Sequence, residues 1–161
     1  YRLEDLLKKK NPLLMILENL QDPGNLGTIL RTAEGAGVDG VILSKESVDI
    51  YNPKTIRSTM GSIFRVPFYI TEDLHGTLGQ LQKKGIRVYA AHLEGSVCYD
   101  EPDYTGGTAF LIGNEGNGLT AETAKLADTY IRIPMGGQLE SLNAAMAAGI
   151  LMYEASRQRR G

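Results

Sequence analysis

Residues 131–153, IRIPMGGQLESLNAAMAAGILMY, leave a chain of this kind few ways to fold. A strand over 130–133 has to stop at Pro134, which has no N–H to give a ladder. Gly136 and Gly137 then free the backbone to turn, and Ser141 stands where a helix over 141–157 needs its N-cap. In that helix Leu142, Ala145, Met146, Gly149, Met152 and Tyr153 follow the spacing of one face. Ala144, Ala147, Ala148 and Leu151 fill a second. A helix apolar nearly all round needs two surfaces to pack on. In a chain of 161 residues one face covers a sheet, and the other is expected to meet a second copy of the chain, with Ala144, Ala147, Ala148 and Gly149 small enough for close approach. Asn143 is polar among apolar neighbours, and on these residues alone it is either a satisfied buried amide or a binding group.

Upstream the chain alternates. Apolar runs at 13–17, 40–43, 66–70, 86–91 and 108–112 read as strands, and 26–35, 53–61, 74–84 and 120–127 read as helices between and after them. Asn25 is the expected N-cap of the first. Strands apolar throughout and separated by helices define an α/β fold with a parallel sheet covered by helices on both faces, in one domain spanning 1–161. Apolar residues make up 42% of the chain, enough for one core, and no apolar run reaches membrane-spanning length, so a soluble, cytoplasmic protein with no membrane partner is expected. With Cys98 as the single cysteine and two histidines, a disulfide framework and a Cys/His zinc site are excluded, and no metal is expected. Net charge is −2, so any polyanion must be met by a local patch or by a basic segment outside this chain. The chain starts at Tyr1 without methionine, and a removed N-terminal segment would fit that balance.

Open parallel sheets bind ligands at the carboxyl ends of their strands. The loops 22–28, 93–96, 113–118 and 134–140 fall there and outline one cleft. The first strand leads into Asp-Pro-Gly-Asn-Leu-Gly, not Gly-x-Gly-x-x-Gly, and no Gly-x-x-x-x-Gly-Lys occurs, which disfavours dinucleotide and P-loop sites. The loop after Ile112 carries Glu115 where a phosphate loop carries lysine, and suits a ligand with hydroxyls or positive charge.

Three ordered segments then resemble a known family. Asn25-x-Gly27-x-x-x-Arg31, Gly113-Asn114-Glu115-Gly116-Asn117-Gly118-Leu119, and Ile133-Pro134-Met135-x-Gly137 with Ser141-Leu142-Asn143 look like the three motifs of the SpoU/TrmH ribose 2'-O-methyltransferases. The likeness runs from Leu13 onward. It implies a deep trefoil knot near the C-terminus, S-adenosylmethionine held in the knot, a homodimer, and RNA (rRNA or tRNA) as substrate. Many members also carry an N-terminal RNA-binding domain, which the resemblance places outside this chain. One departure is Ala144-Ala145, where a Val-Ser pair often follows the third motif.

By the same resemblance, the backbone at Leu93, Gly113, Ile133, Met135 and Leu142 holds the cofactor, and Arg31 is the catalytic arginine, with Asn25, Glu115, Ser141 and Asn143 orienting it and the ribose. A guanidinium stays protonated in proteins, so a phosphate contact and stabilisation of a developing alkoxide suit Arg31 better than the role of base. Plainer readings stand beside these: helix capping for Asn25, a charge complementing a helix dipole for Glu115, and solvated surface for Arg31, Arg57 and Arg65. His92, at a strand end, reads as a packed residue. A non-catalytic RNA-binding or ribosome-assembly factor that keeps the fold is the competing function, and the joint presence of Arg31, Glu115 and Asn143 argues against it.

Overall fold

The computed structural model describes residues 1–92, 94, 97–138 and 142–161. Among the described residues seven strands form one sheet: β1 (Leu13–Leu17), β2 (Gly40–Ser44), β3 (Phe68–Thr71), β4 (Arg87–Ala91), β5 (Val97–Cys98), β6 (Thr108–Ile112) and β7 (Thr129–Arg132). Their order is β3-β2-β1-β6-β4-β7-β5, and every pair is parallel. The chain lays down β4 and β5 first and afterwards inserts β6 between β1 and β4, and β7 between β4 and β5. β5 was not foreseen, because a two-residue strand has too little pattern to read.

Alternate residues of each strand feed two separate cores, as the period of two requires. Val41, Met15, Phe110 and Tyr89 are register partners in a row across β2, β1, β6 and β4, and they belong to the core covered by helices α2 (Pro23–Ala36) and α6 (Ala144–Arg160). Ile42, Ile16, Leu111 and Ala90, one residue further along the same strands, pack on the other face. There α1 (Leu3–Leu6) contributes Leu6, and α4 (Leu74–Lys83) contributes Leu78 and Leu81. Helices therefore cover both faces. α3 (Pro53–Thr59) lies beside α2, and α5 (Ala121–Ala124) is a single turn before β7.

Several boundaries moved for local reasons. α2 begins at Pro23 rather than Leu26: Asp22 is its cap, accepting from the Gly24 amide at 2.8 Å, and Pro23 sits where its missing N–H costs nothing. Asn25 is thus inside the first turn and does not cap. β3 starts after Pro67, and α3 stops at Met60, which takes a left-handed conformation (φ 51°). α6 is capped by Asn143, whose Oδ1 accepts from Ala145 at 2.8 Å and Met146 at 3.2 Å. Ser141, the expected cap, lies outside the described residues. At the other end of α6 the Arg159 guanidinium donates to the carbonyls of Tyr104 (2.9 Å), Asn11 (2.8 Å) and Gly106 (2.7 Å).

The two faces of α6 also differ from the expected division. Ala145, Ala148, Leu151, Met152 and Ala155 are buried against the sheet, while Met146 and Tyr153 are 61% and 46% exposed with the half-buried Gly149 and Ile150 between them. Met146, Gly149, Ile150 and Tyr153 follow i, i+3, i+4, i+7, so the uncovered apolar stripe is theirs. Ala148, expected on the face toward a second copy, is fully buried in its own chain. Ala148→Glu would bury a charge without a partner, at a cost of several kcal/mol. It is expected to lower the urea midpoint steeply.

Candidate functional site

All the strands run the same way, so the loops after β4, β6 and β7 emerge at one edge of the sheet. Described residues at that edge line a cleft of ≈ 610 Å³, within the range of small-molecule sites. Its walls are the strand ends Ala91, Ile112 and Ile131, the glycine-rich loop Gly113 to Gly118, the segment Ile133-Pro134-Met135, and Leu142, Ala144 and Ala147 at the start of α6. His92 and Arg132 complete it. Gly113, Ile133, Met135 and Leu142, far apart in sequence, are thereby brought together; Leu93 lies outside the described residues. None of residues 22–28 lines the cleft, contrary to the expectation of a single cleft built from four loops.

The glycine-rich loop is closed on itself. Asn114 and Gly118 exchange backbone hydrogen bonds (2.8 and 3.2 Å), and Asn114 Oδ1 accepts from the amides of Gly116 and Asn117 at 2.9 and 3.1 Å. Its Nδ2 donates to the Asn19 carbonyl at 2.8 Å, joining the loop to the end of β1. A Cβ at Gly113 would stand 2.2 Å from the Gly118 carbonyl carbon and the Leu119 nitrogen. Glycine is required at 113 by the loop's own backbone.

Glu115 belongs to the cleft wall, yet its carboxylate turns to the neighbouring loop. It accepts from the Gln21 amide at 3.0 Å, the Asp22 amide at 2.7 Å and Asn25 Nδ2 at 3.4 Å. Burial pushes this carboxyl up, but the amides of Gln21, Asp22 and Glu115 itself, with the Asn25 side chain, outweigh it and hold the group below its ordinary value. Asn25 Oδ1 in turn accepts from Asn143 Nδ2 at 3.2 Å. Glu115, Asn25 and Asn143 therefore form one chain of polar contacts, from the cleft wall through the first turn of α2 to the start of α6. Arg31 is not in it. It lies roughly 9 Å further along α2 at 1.5 Å per residue, is exposed, and has no hydrogen bond or ion pair among the described residues. Ser141 lies outside the described residues.

Two other positions read differently in three dimensions. Arg65 is ion-paired with Glu34 through Nε and Nη2, and this pairing, with the Ser62 hydroxyl, holds the Glu34 carboxyl down at about 2. It is not a free cation. His92 lines the cleft with its ring stacked on Tyr130 (centroids 4.7 Å apart), and its Nδ1 accepts from the Glu94 amide at 3.1 Å. Its place after a strand end, close to the expected cofactor loop, was legible in the sequence, and the reading as a packed residue agrees with its stacking on Tyr130. Among the described residues no cluster of His, Cys, Asp or Glu could hold a metal, and no helix is long and apolar enough to cross a membrane.

Parallel α/β architecture with a backbone-walled cleft at the carboxyl edge defines the class, and comparison with known proteins gives the family. Residues 12–153 match the SpoU rRNA methylase family, and the chain belongs to it. It is 39% identical over 140 residues to the 23S rRNA (guanosine(2553)-2'-O)-methyltransferase RlmP of Bacillus subtilis, covering 87% of this chain and 56% of the relative. Against the 23S rRNA (guanosine-2'-O-)-methyltransferase RlmB of Xanthomonas campestris it is 36% identical over 149 residues, 92% of this chain and 60% of the relative. The SpoU methyltransferase AviRb of Streptomyces viridochromogenes, solved with AdoMet, superposes with a TM-score of 0.92 at 32% identity over 99% of this chain and 65% of that one. An AdoMet-bound rRNA methyltransferase of Sinorhizobium meliloti gives 0.83 at 41% identity, over 92% and 57%. The family drawn from the three motifs is borne out, and the chain spans between half and two thirds of these relatives.

Gly113→Ala is expected to open the 113–118 loop and lower stability by about 1 to 3 kcal/mol, as overpacking does. An urea midpoint equal to that of the parent would show that the loop tolerates the methyl group.

Proposed function

We propose that residues 1–161 form one methyltransferase domain that transfers a methyl group from S-adenosylmethionine to a ribose 2'-hydroxyl of RNA, either rRNA or tRNA, in the cytoplasm. The observation that carries this reading is the cleft wall itself: a glycine-rich loop without any cation, tied by Glu115 to the amide pair Asn25 and Asn143, in a chain of the SpoU rRNA methylase family. Backbone amides and carbonyls beside apolar strand ends suit an adenosine and a short aliphatic chain. Leu93, Gly113, Ile133, Met135 and Leu142 hold the cofactor through their main chain. Bound there, the cofactor supplies an electrophilic methyl on a sulfonium sulfur.

The protein's own part is positioning and charge. Asn25 and Asn143, fixed by Glu115 and by the capping of α6, present amide groups that orient the ribose, a role shared by Ser141 on the resemblance of its motif. Arg31 contacts the adjoining phosphate and stabilises negative charge developing on the 2'-oxygen, since a guanidinium holds its proton and donates several hydrogen bonds.

We further propose a homodimer formed through the stripe Met146, Gly149, Ile150 and Tyr153, with Arg31 serving the partner's cleft. Support comes from the place of Arg31 outside its own cleft, on a helix whose Thr32 and Gly35 adjoin Gly149 and Tyr153. The chain is proposed to form a deep trefoil knot toward the C-terminus, consistent with the late insertion of β6 and β7 between earlier strands.

Titration calorimetry with S-adenosylmethionine tests the site. Saturable binding is expected, and its absence would sink the reading. Arg31→Ala should lower methyl transfer to RNA by about 100-fold or more while leaving cofactor affinity within about twofold; unchanged turnover would remove Arg31 from the chemistry. In light scattering the chain is expected at twice its 17.5 kDa mass, and a monomer at micromolar concentration would rule out a site shared between subunits.

A further inference from the structure

α2 and α3 lie in direct backbone contact. A Cβ at Gly27 would stand 2.1 Å from Ser58 Cβ and 3.0 Å from the Thr55 carbonyl oxygen, and further along α2 Glu34 reaches Ser62 and Arg65. The two helices therefore pack closely at Gly27, and Arg31 stands one turn further along α2 from that contact.

On these two helices Arg31, Lys54 and Arg57 are exposed, and none has a carboxylate partner among the described residues. This is selective. Elsewhere Arg2, Lys8, Lys9, Lys45, Arg65 and Arg157 are each within ion-pair distance of a carboxylate. Glu34, the acid of α2 nearest this surface, is taken up by Arg65. Asn52 caps α3 by accepting from the Lys54 amide at 2.9 Å, which fixes Lys54 in the first turn. Two exposed apolar side chains frame the cations: Tyr51 (60% exposed), whose ring stands edge-on to Phe68, and Met60 (66%), held by its left-handed backbone at the end of α3.

We infer that this α2–α3 surface is where RNA next to the methylated nucleotide lies, with phosphates on Lys54 and Arg57 continuing from Arg31 and a splayed base against Tyr51. The inference rests on the proposed function and extends it to residues which that reading leaves unused. Its geometry follows Arg31, which the proposed function assigns to the partner's cleft and which stands one helical turn after Gly27, where Ser58 and Thr55 of α3 pack. Cations spaced along one face beside an aromatic ring match a single strand, in which phosphates repeat and unstacked bases offer flat faces. In a chain of net charge −2 a polyanion has to be held by a local group of cations such as this one.

The test compares the parent with Lys54→Ala/Arg57→Ala and with Tyr51→Ala, using a single-stranded oligoribonucleotide across a salt series and calorimetry with S-adenosylmethionine. All three residues are exposed, so the variants should fold and bind the cofactor like the parent. The double variant is expected to bind RNA at least tenfold more weakly, with the slope of log K against log salt shallower by about 1.4, the share of two phosphate contacts on a single strand. Tyr51→Ala should weaken binding at an unchanged slope. A parent that methylates RNA while the double variant keeps its affinity and slope overturns the surface alone. Polyglutamate competing as well as RNA also overturns it, by making the patch a general anion site. A parent that binds no cofactor and methylates no RNA overturns the proposed function and the surface with it.

Discussion

Strand β6 hydrogen-bonds along both edges, to β1 from Leu13↔Thr108 to Leu17↔Ile112 and to β4 from Arg87↔Thr108 to Ala90↔Leu111. All five of its residues are buried, with Phe110 and Ile112 in one core and Ala109 and Leu111 in the other. A strand in that position cannot shift by one residue without exchanging the contents of both cores. Its carboxyl end is therefore fixed to within a residue, and Gly113, the first residue of the cleft loop, inherits that precision. The loop then closes on Gly118 and is fastened sideways to the end of β1 through Asn114 and Asn19. The cleft is rigid where strands launch it and is shaped beyond them by side-chain amides.

That division explains what the sequence disclosed. Strands such as 13–17 and 108–112 were legible because burial on both sides demands uninterrupted apolar residues, and their ends locate the loops of an open parallel sheet. The three motifs were legible as residue types at fixed spacing, and they named the family. Periodicity could not tell which side of α6 faced the sheet: with alanines, glycine and methionine distributed all round the helix, Ala148 and Met146 are equally apolar, and packing alone sends one inward and leaves the other in solvent. The expected cap of α2, Asn25, gives way to Asp22, which is an equally good capping residue. Pro23 settles it, because it fits the first helical position and Asp22 immediately precedes it.

Pairing was the least legible property. Arg31, Arg57 and Arg65 looked alike as surface arginines, yet Arg65 is occupied by Glu34, which is 31 residues away in sequence. Glu115 looked available to a ligand, yet its carboxylate is engaged by amides 93 and 94 positions earlier. His92 was legible as a packed strand-end residue, yet the ring it packs on is Tyr130 of the neighbouring strand. Each of these depends on a partner brought near by the strand order, so no local window contains the information.

Helix α6 is held at both ends by side chains with more than one partner. At its start Asn143 caps the first turn with Oδ1 and reaches Asn25 with Nδ2, while near its end Arg159 grips the carbonyls of Tyr104, Asn11 and Gly106 beside the amino ends of β1 and β6. With 17 residues the helix spans about 25 Å, the full depth of the sheet. It behaves as a strut pinned to the base of the sheet at one end and to the rim of the cleft at the other. With both ends tied, the place of α6 along the sheet sets where Asn143 meets Asn25 at the edge of the cleft.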